Sequence, residues 1–210
     1  MSKKTKTDNG HLDQKLALRR YFFQKYHSAA APHVFDCCQG SQVIWSQLKS
    51  EFTLASYWGV DIKPKKGRLK IDSARVLDQP GWNFDLIDVD TYGSPWKHYA
   101  AIQQHATKAV TVFLTIGQGF SNFAFTGLAE IQAIFGKSVI RKGNHWVTPQ
   151  GNVIGPYFIG RTLHLATARL LLDIQSPTLA IAEAVEAVSD SQTARYLGVR
   201  LELRKSPSAK

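Results

Sequence analysis

Residues 84–116, FDLIDVDTYGSPWKHYAAIQQHATKAVTVFLTI, decide the fold. The run Phe84–Val89 is apolar apart from its acids, and it predicts a strand that ends at Asp90. Gly93, Ser94 and Pro95 then open a helix that continues to about His105, because proline is tolerated in a first helical turn. Val110–Ile116, VTVFLTI, is the β-branched and aromatic run of a strand buried on both faces. Strand, crossover helix and strand together make one unit of a parallel α/β sheet.

The same alternation extends toward the amino end. PHVFDCCQGS at 32–41 predicts a buried strand over 33–36 that runs into a glycine-containing turn. A helix follows over about 41–50, with Val43, Ile44, Trp45 and Leu48 as its apolar stripe. Ala55–Asp61, ASYWGVD, is a second strand, KPKKGR breaks the chain, and Leu69–Ile71 is a short third strand before Asp72. Residues 14–27, QKLALRRYFFQKYH, carry apolar residues at helical spacing and are expected to form a helix with a basic outer face.

Beyond Gly119 the pattern predicts helices near 126–135 and 157–172, with a glycine-rich loop at 141–156 between them. Thr178–Val188 fits either a helix or an alternating strand. Paired with Tyr196–Leu203, YLGVRLEL, it is expected to close the sheet as an antiparallel hairpin. The fold class is therefore α/β: a Rossmann-like, mostly parallel sheet with helices on both faces and a C-terminal antiparallel hairpin. One domain is expected over 14–204, flanked by polar, disordered tails at 1–13 and 205–210.

Twenty-six Lys and Arg against sixteen Asp and Glu give a net charge of +10. Such an excess favours polyanions, because neutralising phosphates releases condensed counterions. A nucleic-acid partner, DNA or RNA, is expected. Cys37 and Cys38 are adjacent and cannot form an ordinary bridge, and the histidines show no metal spacing, so no metal is expected. No apolar run approaches the roughly 18 residues of a membrane span, and the lysine-rich start lacks a signal-peptide core. A cytoplasmic location is the corresponding expectation.

Four acids sit at or just past predicted strand ends: Asp36, Asp61, Asp72 and Asp90. In open α/β sheets ligands bind at those ends, and a carboxylate there needs hydrogen-bond donors to offset its desolvation. If the crevice holds an adenosine, each residue has a role. Gly40 lets backbone approach the ligand, Asp61 accepts ribose hydroxyl hydrogens, and Asp72 with the backbone around Ser73 reads the adenine amino group. Asp88 shares the side of Asp90 and is expected to be structural, while Asp85 lies near the strand's solvated start.

These residues resemble a known family. DCCQGSQ at 36–42 is similar to the D-x-F-x-G-x-G loop of class I S-adenosylmethionine-dependent methyltransferases, with Gln42 in place of the last glycine. FDLIDVDTYGSP at 84–95 resembles the D-P-[FY]-G-S-P motif of tRNA guanine-N2 dimethyltransferases, with Thr91 in place of the proline. The resemblance covers roughly residues 30–120. It implies that Asp36 and Gly40 contact the methionine part of S-adenosylmethionine, Asp61 its ribose and Asp72 its adenine, while Asp90 and Tyr92 face a substrate amine.

The implied reaction is methyl transfer to an exocyclic amino group of a nucleic-acid base. That nitrogen's lone pair is delocalised into the ring, and an acceptor for its hydrogens turns the pair toward the methyl donor. Tyr92 could stack on a base taken out of its helix. Candidate substrate-binding residues are Lys65, Lys66 and Arg68 in the basic run, and Arg141, Lys142 and Trp146 in RKGNHW. Two other readings stay open: a catalytically degenerate methyltransferase-like subunit that binds nucleic acid or a partner, and a methyltransferase acting on a small molecule or a protein.

Overall fold

A computed structural model describes residues 11–64, 70–91, 94–117, 139–143, 145–148, 150–151, 153–154, 167–188 and 194–204. In chain order its elements are α1 (Leu12–Tyr26), β1 (His33–Asp36), α2 (Val43–Glu51), β2 (Ser56–Gly59), α3 (Ser73–Leu77), β3 (Leu86–Val89), α4 (Trp96–His105) and β4 (Val110–Gly117). After these come β5 (Ile140–Lys142), β6 (His145–Val147), β7 (Val153–Ile154), β8 (Leu179–Val188) and β9 (Ala194–Leu203). Six strands form one sheet in the order β2-β1-β3-β4-β9-β8. β2, β1, β3 and β4 pair in parallel, while β9 runs antiparallel to both β4 and β8, so the expected closing hairpin is present. From β1 the chain steps outward to β2 and then back across to β3, which puts the reversal of strand order between β1 and β3.

Period-two alternation sends successive residues of each strand to opposite faces. Phe35, Ile87, Val89, Val112 and Leu114 pack with Leu77 of α3 and with Trp96, Tyr99 and Ile102 of α4. Val34, Leu86 and Phe113 pack on the other face against Leu16, Phe22 and Phe23 of α1 and Ile44, Trp45 and Leu48 of α2. Helices thus cover both faces, as an all-parallel centre requires.

The close seat of α1 depends on Gly198, which stands opposite both Phe113 and Val185 in the register. A Cβ at Gly198 would lie 2.3 Å from Cε2 of Phe22, a fully buried ring stacked edge-on against Phe113. Gly198→Ala is therefore expected to lower unfolding free energy by about 1–3 kcal/mol through overpacking. A chemical-denaturation midpoint matching that of the wild type would contradict this.

Four expectations need correction. α1 opens at Leu12, and its cations do not all face outward: Lys15 and Arg19 are buried. The third strand is reduced to a single parallel bridge between Asp61 and Lys70, with Ile71 N–H donating to the Asp61 carbonyl at 3.1 Å. The stretch 141–156 is not simply a loop. β5, β6 and β7 form a three-stranded antiparallel sheet, helped by turns at Gly143 (φ 59°) and Gly151 (φ 85°), where glycine adopts positive φ without a Cβ clash. The helix expected near 126–135 lies outside the described residues, and of 157–172 only residues 167–172 are described, all helical.

Candidate active site

β1 ends on Asp36, and the loop beyond it is stitched to its neighbours through backbone. Cys37 N–H donates to the Asp88 carbonyl at 2.8 Å, Val60 N–H to that of Asp36 and Gln39 N–H to that of Val60, both at 2.9 Å. Gly40 and Gln42 both have positive φ, 47° and 63°. Gln42 thus holds a left-handed conformation that costs a non-glycine residue roughly 1–2 kcal/mol. The loop keeps a backbone shape suited to glycine even where glycine is replaced.

The carboxylate of Asp61 accepts from Gly40 N–H at 3.0 Å and Lys63 N–H at 2.8 Å, which ties the first loop to the second. Asp72 is the N-cap of α3 and accepts from Ala74 N–H at 3.0 Å. It also borders an open depression lined by Lys70, Ile71, Arg75, Val76 and Trp82. Ser73 is buried, its Oγ 2.9 Å from Nε2 of His98, whose pKa burial pushes down to about 4.

Between the sheet and the α1–α2 layer lies a buried polar cluster. Arg19 donates from Nε and Nη2 to Asp88 at 2.8 and 2.6 Å, and Trp45 Nε1–H adds a third bond at 2.8 Å. Burial alone would lower the Arg19 pKa, but Asp88 outweighs it and holds the guanidinium charged. Among the described residues Asp36, beside Asp88 in the register, accepts from neutral donors, Tyr57 O–H at 2.7 Å and Cys38 N–H at 3.2 Å. Burial, and then the Asp88 charge, push its pKa above the usual carboxylate range.

Lys15 Nζ donates to both oxygens of Asp90, at 2.8 and 2.6 Å, and the Thr115 hydroxyl on β4 further favours the ionised acid. Burial would raise the Asp90 pKa, yet Lys15 and then Arg19 hold it below the ordinary value. In the segment after Asp90, Thr91 Oγ1, Trp96 Nε1 and His98 Nδ1 are buried polar atoms without a hydrogen-bond partner among the described residues. Such atoms cost about 1–3 kcal/mol each unless something bonds to them.

Asp36 ends β1, Asp61 and Asp90 come just past β2 and β3, and Asp72 caps α3 two residues after the Asp61–Lys70 bridge. They are not free carboxylates pointing into an empty crevice, because each is already bonded to its own loop or to α1. Asp88 is structural, as read, and Asp85 is a half-buried partner of Lys108 and of His33 N–H. Tyr92, Lys65, Lys66 and Arg68 lie outside the described residues, as do the side chains of Arg141 and Trp146, which pair across β5 and β6. Lys142 is exposed at the end of β5. Lys15, Arg19, Trp45, Tyr57 and Thr115 are site residues that sequence reasoning missed.

Among the described residues no group of three or more His, Cys, Asp or Glu could hold a metal, and no helix is long and apolar enough to cross a membrane. No family description and no curated relative matches the chain. Solved structures do. The complex of Trm1 from Pyrococcus horikoshii with S-adenosyl-L-methionine is 15% identical with a TM-score of 0.55, over 91% of this chain and 54% of that one. The N-methyltransferase NodS from Bradyrhizobium japonicum WM9, in complex with S-adenosyl-L-homocysteine, is 12% identical with a TM-score of 0.50, over 95% and 90%. A hemolysin candidate from Lactococcus lactis is 9% identical with a TM-score of 0.52, over 90% and 86%. The chain spans about half the length of the Pyrococcus protein. At these identities the likeness is one of fold alone, the Rossmann-like mixed sheet of six strands described above.

Proposed function

We propose that the chain is an S-adenosylmethionine-dependent methyltransferase acting on an exocyclic amino group of a nucleic-acid base. The observation that carries this reading is the succession Asp36, Asp61, Asp72, Asp90 along one rim that flanks the reversal of strand order. The residues also fit the cofactor. Asp36 is a buried acid whose donors among the described residues are neutral, a seat suited to an ammonium group, and a Cβ at Gly40 would meet the Cys38 carbonyl no nearer than 3.6 Å. Asp61 would hold the ribose and Asp72, with Ser73, the adenine. When bound, S-adenosylmethionine supplies the transferable methyl group.

Asp90 accepts hydrogen bonds from the amine and orients its lone pair, and Tyr92 faces the base. The basic residues Lys65, Lys66, Arg68, Arg141, Lys142 and the aromatic Trp146 hold the polynucleotide, in keeping with the net charge of +10. The likeness to an N-methyltransferase supports an amine substrate. One observation favours the second reading, a binding subunit without activity: Lys15 already spans both oxygens of Asp90.

Incubating the full chain with methyl-labelled cofactor and total DNA, tRNA or rRNA, followed by nucleoside analysis, is expected to yield an N-methylated nucleoside. Cofactor binding without incorporation selects the second reading, and no cofactor binding overturns both the cofactor and the reaction. By calorimetry, Asp61→Ala is expected to weaken cofactor binding about 10- to 100-fold, the worth of a hydrogen bond to a charged acceptor. An unchanged dissociation constant removes the ribose role.

A further inference from the structure

Two cations one helical turn apart on α1 meet two acids two residues apart on and just past β3. A step from Lys15 to Arg19 rises about 6 Å along a helix. A step from Asp88 to Asp90 spans about 6.6 Å along a strand. The spacings match, so one helix face engages one strand face twice, at Arg19–Asp88 and Lys15–Asp90. The pairs differ in burial. The Arg19 and Asp88 side chains are 1% and 2% exposed, whereas Asp90 retains 22% and Lys15 only 7%. The first pair is sealed, and the second keeps one side of its acid open beyond the end of β3.

We propose that Lys15 is a positioning residue of this site, fixing the Asp90 carboxylate as an acceptor for the incoming amine. Catalytically this rests on the methyl-transfer reading above; the contact itself does not. A carboxylate offers about four acceptor positions. Lys15 takes one on each oxygen, and the side of the acid that stays open beyond β3 is left for substrate hydrogens. A base settling over Asp90 would strip its remaining water and favour the protonated acid, which cannot orient an amine lone pair. Lys15 opposes that protonation, with Arg19 behind it. Asp36 on β1 and the Cys38 thiol are both pushed up by burial and then by charges that include Asp88 and Asp90, and the Tyr196 ring on β9 lies 5.2 Å from the Lys15 ammonium.

The test compares the wild type with Lys15→Met, Lys15→Gln and Lys15→Arg in the full-length chain. One readout is the pH dependence of single-turnover methyl transfer. The other is the Asp90 carboxyl titration, followed by carbon-13 NMR on the protein alone. In Lys15→Met and Lys15→Gln both midpoints are expected to rise by about one to two pH units, and Lys15→Arg is expected to restore them. A neutral variant that folds and leaves both midpoints unmoved overturns the role, because a purely structural lysine would change stability without moving either. If neither neutral variant folds, the wild type decides: an Asp90 titration at or above the ordinary carboxylate range overturns the proposal. A wild type that transfers no methyl group overturns the reaction instead, whatever the NMR titration shows.

Discussion

Arg19→Met is expected to remove about 3–5 kcal/mol of unfolding free energy, a large share of the roughly 5–15 kcal/mol that holds a domain together. The substitution keeps an unbranched apolar stem on Phe113 but deletes the only cation bonded to Asp88 among the described residues. Asp88 would keep one donor, the Trp45 indole, in a site where its side chain is 2% exposed. A carboxylate there can neither reach water nor pair elsewhere, so the loss is that of a stranded charge rather than of one hydrogen bond. Adding Asp88→Leu should recover part of the stability, since removing both ions leaves only the indole N–H unsatisfied. Urea denaturation measures both variants. A single variant within about 1 kcal/mol of the wild type would show that the pair does not govern stability.

Asp90→Ala is expected to slow single-turnover methyl transfer by about 10²- to 10³-fold, with cofactor affinity nearly unchanged. That range is typical for loss of one preorganised group aimed at charge developing in the transition state. The acid is partly open and is bonded to Lys15 rather than to a residue assigned to the cofactor, so the effect should fall on the chemical step. Because the alanine variant also strands Lys15, Asp90→Asn is the necessary companion. It keeps shape and one acceptor but loses the charge, and it should recover only a small part of the rate. Turnover retained in either variant would remove Asp90 from the mechanism.

The parallel centre of the sheet is legible in the sequence because Val34–Phe35, Leu86–Val89 and Val110–Ile116 are apolar on both faces, which only a strand covered on both sides explains. The acids at the rim are legible for the same reason, since each interrupts or ends such a run. α1 is not. Lys and Arg at helical positions ordinarily mark a solvated face, and nothing local distinguishes Lys15 and Arg19 from Arg20 or Lys25. The signal was nonlocal: cations four apart in one segment, acids two apart in another, with nearly equal rises. Trp45 reads as a core aromatic, which it is, but its indole N–H is spent on Asp88. The strands β5 to β7 are three, three and two residues long, too short for alternation to stand out beside so many glycines.

The seat of Phe22 on Gly198 has a consequence for how the molecule assembles. A ribosome delivers α1 well before the strand that receives it, so this face of the helix waits until β9 has been made. Contacts of such long sequence separation slow folding, because the intervening loop must close before they contribute. During synthesis the apolar side of α1 is thus a surface without its cover, and a chain halted before β9 should be the most aggregation-prone intermediate on the path.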